Sequence, residues 1–162
     1  MRRAAHLPRL LLVAVALALP TTLFLAASAS AQPPSPEAFM TRVLRLTVEA
    51  RYAEAWSLLH PGHQRFAPRA RFVRCRSTDP TIAPYRLVSA RFVAKRYVQI
   101  ASPGVPQRTS TQIVLRFRMA DGQGRTFPAA DATVRAVWID TRWAWVLPDT
   151  DIPAFRAGRC PA

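Results

Sequence analysis

Residues 86–98 read Arg86-Leu87-Val88-Ser89-Ala90-Arg91-Phe92-Val93-Ala94-Lys95-Arg96-Tyr97-Val98, and their spacing decides the fold class. Before this stretch apolar residues recur at helical intervals. Within it they alternate, which is the mark of half-buried strands. One apolar face is expected to carry Val88, Ala90, Phe92, Ala94 and Val98, and the other Leu87, Ser89, Arg91, Val93, Lys95 and Tyr97. The alternation resumes after a loop at 102–106, with Ile113, Leu115, Phe117 and Met119 inward and Gln112, Arg116 and Arg118 outward. Asp121-Gly122-Gln123-Gly124 reads as a hairpin connection. A further strand from about 132 to 139 turns at Asp140-Thr141 into residues 142–147.

The preceding half is helical. Ser35 is placed to cap a helix, Pro36 suits its first position, and Glu37 favours its positive end. Phe39, Val43, Leu46 and Ala50 then form one stripe, with Arg42, Arg45 and Glu49 opposite. Tyr52, Ala55, Trp56 and Leu59 mark a second helix that His60-Pro61-Gly62 is expected to stop. Residues 68–75 add a turn or two, with Phe72 and Cys75 inward and Arg71 and Arg74 outward. Residues 149–157 form a terminal helical turn stopped by Gly158. Helices first and antiparallel strands after them make an α+β domain, with helices covering one face of a strongly curved sheet.

The N-terminus sets the compartment. Arg2, Arg3 and Arg9 precede an apolar run at 10–19, and Ala29-Ser30-Ala31 supplies a small-residue cleavage site before Gln32. Residues 1–31 are therefore read as a signal peptide, 32–35 as a short leader, and 36–162 as one domain of an exported protein. An uncleaved membrane anchor is the competing reading, although Pro20-Thr21-Thr22 interrupt the run before it reaches spanning length. In an exported chain the only two cysteines, Cys75 and Cys160, are expected to be joined. Such a bridge closes a loop of about 85 residues and is typically worth about 2–4 kcal/mol.

The full chain carries a formal net charge of +14. Removal of the leader's three arginines lowers it to +11, because every carboxylate lies after residue 31. This balance suggests attraction to anionic lipid headgroups or wall polymers, against the plainer reading of a merely soluble surface. Export argues against nucleic acid as the partner.

The chemistry needed for catalysis is sparse. The inward strand faces carry no carboxylate to act as a base. Asp131 and Asp140 fall at strand ends, Asp121, Asp149 and Asp151 in turns, and Glu49 and Glu54 beside the apolar stripes. His60 and His63 flank helix-breaking residues near the expected rim. With Cys75 and Cys160 they match no zinc spacing, so no metal or other cofactor is implied. No phosphate loop or serine-nucleophile motif occurs.

The segment Arg51-Tyr52-Ala53-Glu54-Ala55-Trp56-Ser57-Leu58-Leu59-His60-Pro61, followed by Arg71-Phe72-Val73-Arg74-Cys75, resembles the helical half of NTF2-like (SnoaL-like) cone domains of exported bacterial proteins. The ending Trp143-Ala144-Trp145-Val146-Leu147-Pro148 is similar to their last strand, and residues 155–161 to their tail. The resemblance implies a conical sheet with a cavity at its open end, Tyr52 and Trp56 in the core, and a monomer or a homodimer paired through sheet faces. It leaves activity open, because the fold hosts isomerases, dehydratases and non-catalytic binding modules alike. Three functions are carried forward: a non-catalytic module for a small ligand or an accessory domain, a small isomerase or dehydratase, and envelope association through a basic face. The ligand reading places Arg96 against an anionic group in the cavity, with Tyr97 and Trp138 at its mouth. A snorkelling Arg96 is the plainer alternative. The envelope reading needs Arg91, Lys95, Arg116, Arg118 and Arg135 on neighbouring strands.

Overall fold

The computed structural model describes residues 34–78 and 85–161. The expected signal peptide lies outside them, and no helix among the described residues is long and apolar enough to cross a membrane. The chain is α+β, with helices packed against a four-stranded antiparallel sheet of order β1-β2-β3-β4. Its strands are β1 (Arg86–Ser102), β2 (Val105–Ala120), β3 (Ala130–Ile139) and β4 (Arg142–Trp145).

Helix α1 (Pro36–Val48) begins as its sequence requires. Ser35 Oγ accepts from the Ala38 amide at 3.2 Å, Pro36 occupies the first turn, and Phe39, Met40, Val43 and Leu46 are buried. The helix lies across all four strands, where Ile113, Leu115 and Ala136 join its apolar stripe in the main core. Ala50 does not extend the stripe. It has left the helix with φ 56°, a left-handed conformation uncommon for a residue with a Cβ.

Helix α2 (Tyr52–Ser57) buries Tyr52 and Ala55, and Trp56 Nε1 donates to the Ala67 carbonyl at 2.7 Å. His60-Pro61-Gly62 does more than end it. Pro61 is the first residue of another helix, α3 (Pro61–Phe66), whose Gly62 amide donates to His60 Nδ1. A proline that cannot continue one helix is well suited to start the next, because its missing N–H is not needed there. Between the two helices, residues 58–60 run beside β4. Trp145 N donates to Leu58 O at 3.1 Å, and His60 N donates to Trp145 O at 2.8 Å.

Helix α4 (Arg69–Ser77) buries Phe72 and Cys75, and Cys75 is bonded to Cys160. Arg71, expected to point outward, instead donates to the carbonyls of Phe66 and Phe155. Phe155 belongs to α5 (Ile152–Arg156), and its ring stacks on Phe72. Arg76 and Asp151 pair nearby.

The long β1–β2 hairpin closes at Pro103-Gly104, tighter than the five-residue loop expected. Its tip meets α3 so closely that a Cβ on Gly62 would fall 1.6 Å from the Gly104 carbonyl oxygen. The β2–β3 connection is longer than a simple hairpin. An Ala120–Thr126 bridge and the Asp121 carboxylate, which accepts from the Gln123 and Arg125 amides, order its first part. Strand β1 departs most from expectation, because bulges between Leu87 and Ser89 and between Phe92 and Ala94 break its alternation. The second bulge exchanges the faces. Phe92 shares a side with Lys95 and Tyr97, while Arg91 shares the other with Ala94, Arg96 and Val98.

Candidate interaction surface

His60, His63 and Ser102 are the groups whose chemistry resembles a reactive constellation. His63 is fully buried, against the expectation of a position near the rim. Its Nδ1 accepts from the Leu147 amide at 3.0 Å, which leaves the ring proton on Nε2. Nε2 lies 3.2 Å from Ser102 Oγ and therefore donates to that hydroxyl. A histidine in this tautomer cannot take the serine proton, so the pair is a structural bond and not a nucleophile with its base. Burial, reinforced by neighbouring His60, pushes the His63 imidazole down to about 4. Burial also lowers His60, aided by the Arg108 guanidinium. Together they join α3, the hairpin tip and the chain leaving β4. No group of three or more His, Cys, Asp or Glu side chains among the described residues is placed to hold a metal ion.

Arg96, Tyr97 and Trp138 do not converge. The bulge at Phe92 places Arg96 on the outer face, away from α1, where it is exposed and donates to Gln112 Oε1 at 3.3 Å. Tyr97 is turned to the helix side and is largely exposed. Trp138 packs edge-on against Trp143, whose indole N–H donates to the Pro34 carbonyl.

The outer face gathers the arginines instead. Arg91 lies directly opposite Arg116, Arg118 opposite Ser89, and Gln112 between Arg96 and Arg135. Directly opposed residues of an antiparallel pair share a face, so these five arginines form one surface across three strands. Two carboxylates temper it. Asp131 accepts both arms of Arg116 at 2.7 and 2.8 Å, and Asp149 accepts from Arg135 at 2.8 Å. The Arg116 guanidinium holds the Asp131 carboxyl below its usual range. Lys95 does not belong to this surface: it sits on the helix side and pairs with Glu37 at 2.7 Å.

Toward the hairpin tip the same face turns apolar, with Ile100, Val105, Val137, Ile139, Ala144 and Val146 clustered. A shallow hollow of about 280 Å³ lies in the basic half, lined by Ser89, Arg91, Arg116, Phe117, Arg118 and Ala129. An open cleft of about 580 Å³ lies between the hairpin tip and α5, and its carboxylate, Asp149, is already engaged by Arg135.

Arg91, Arg116, Arg118 and Arg135 were legible as outward arginines, whereas their adjacency and the roles of Gln112 and Asp131 depend on register between strands. Compared with protein-family models, with curated proteins and with solved structures, the chain finds no match.

Proposed function

We propose that this chain is an exported, non-catalytic module that holds to the anionic surface of the cell envelope through the outer face of its sheet. One observation carries the reading: among the described residues, Arg91, Arg96, Arg116, Arg118 and Arg135 share that face against Asp131 and Asp149. Arginine keeps its charge at any physiological pH and grips phosphate with two donors, so clustered guanidinia on an open sheet face suit a headgroup layer better than an enclosed ligand. The NTF2-like cone and the cleaved leader remain part of this proposal, supported by the helical and C-terminal motifs and by the small-residue cleavage pattern. The histidine–serine geometry favours the non-catalytic reading over an isomerase or dehydratase.

The test is co-sedimentation with vesicles that contain anionic lipid, against purely zwitterionic ones. Binding is expected only to the former, and should weaken steeply as salt rises from about 50 to 300 mM. Arg91→Gln, Arg96→Gln and Arg118→Gln together should lower affinity roughly 100-fold, since each basic residue near such a surface is worth about 1 kcal/mol. Equal binding to both vesicle types, or a triple variant as good as the parent, would remove the proposal.

A further inference from the structure

The two margins of the sheet are unequal. Residues 58–60 bond to β4, whereas no strand or bridge lies on the outer edge of β1 among the described residues. From residue 88 to 97 every position except Ala90 is exposed, on both faces of the strand. Four large apolar side chains stand in water there: Val88 at 41%, Phe92 at 47%, Val93 at 43% and Tyr97 at 71% exposure. An open edge of this length offers unpaired backbone donors and acceptors to another chain. Charge is the usual protection, and here it has a single sign. Lys95 is held by Glu37, while Arg91 and Arg96 have no ion-pair partner among the described residues.

We propose that this edge is a docking site for an extended segment of another protein, which adds a strand to β1 and alternates acidic with apolar side chains. The bulge at Phe92 prepares both halves of that recognition. It leaves Arg91 and Arg96 on the outer face, where carboxylates of the incoming strand meet them, and Phe92 and Tyr97 on the helix side, where its apolar residues pack. A second copy fits poorly, because pairing β1 with itself would bring Arg91, Lys95 and Arg96 of both chains together without one carboxylate on either strand. The site uses the backbone edge and not the breadth of the basic face, so it stands or falls apart from envelope binding.

The test uses three ten-residue peptide probes: alternating Glu and Val, the same with Lys for Glu, and the Glu peptide N-methylated along one edge. Binding is read by fluorescence anisotropy and by amide hydrogen exchange of residues 88–97. The Glu peptide should saturate the protein and slow exchange of the outward β1 amides by about tenfold or more. The Lys peptide and the N-methylated peptide should each bind at least about tenfold more weakly. Arg91→Glu with Arg96→Glu should reverse the preference between the Glu and Lys peptides while leaving the far-UV spectrum unchanged. Absence of binding, or binding that leaves β1 exchange unaltered, would overturn the proposal. Equal binding of the N-methylated peptide would assign the attraction to the basic face alone. Concentration-dependent protection of β1 without any peptide would assign the edge to a second copy.

Discussion

The β4 margin of the sheet is bridged at Trp145 by the chain's own residues 58–60, whereas among the described residues nothing pairs with the outer edge of β1, and the two margins meet an incoming strand differently. At β4 the Trp145 amide and carbonyl are both bonded by residues 58–60, and Ala144 and Trp145 are buried. Trp145 is buried between Ala55, whose carbonyl its indole meets at 2.8 Å, and the edge of the Phe72 ring. At β1 the edge carries bulges and arginines, with the apolar side chains left in water. The closed margin therefore concentrates stability and the open one is free for recognition. This division follows from packing, because ordering the chain is compensated only where apolar surface is removed from water.

The sharpest way to break the comparison is Trp145→Ala. Loss of a buried indole, its hydrogen bond and its contact with Phe72 should cost about 3–5 kcal/mol, read as a lower midpoint in urea unfolding. A loss below about 1 kcal/mol would mean that the closed margin is not where stability resides.

Acidification probes the same margin through His63. Its imidazole sits at about 4 in the fold against 6.5 ordinarily, so the unfolded chain takes up the proton first. The stabilisation is whole above about pH 6.5 and falls as the pH drops toward 4, by roughly 3 kcal/mol in total. The carboxyls of Glu37, Glu54, Asp121 and Asp131 are lowered by their basic partners and lose their contribution further into acid, so they do not mimic this window. Urea unfolding between pH 7 and 4 checks the slope. His63→Gln should flatten it, leaving only the part due to His60, whose imidazole is lowered in the same direction.

The smallest effect is expected at the open margin. Phe92→Thr exchanges a half-exposed aromatic for a residue that also favours strands, and should change stability by less than about 0.5 kcal/mol. The same substitution should weaken the acidic peptide probe, separating recognition from folding at one position.

What could be read in the sequence depended on how local its physics is. The Ser35 cap, the Phe39–Val43–Leu46 stripe, the strand period of β2 and the Cys75–Cys160 pair all follow from near-neighbour chemistry or from counting. Pro61 was ambiguous because its missing N–H is as good a reason to begin a helix as to end one. Ala50 escaped notice because a left-handed turn without glycine leaves no compositional mark. The faces of Arg96 and Tyr97 were exchanged by a bulge that exists only through pairing with β2, and a single extra residue inverts a period of two. The same bulge carries Lys95 to the helix side, where it meets Glu37, 58 residues away in the chain. The candidate surface was thus legible as a set of arginines and illegible as an arrangement.

The bond between Cys75 and Cys160 makes a covalent ring of everything between them, and all four strands lie inside that ring. Tension applied to the two ends of the domain would pass from α1 through α4 and across the sulfurs to the tail. The sheet would hang beside this load path without carrying it. Force on the ends would be met first by the packing of α1 and α2 on the sheet, while the strands themselves could not be drawn out past the sulfur bond.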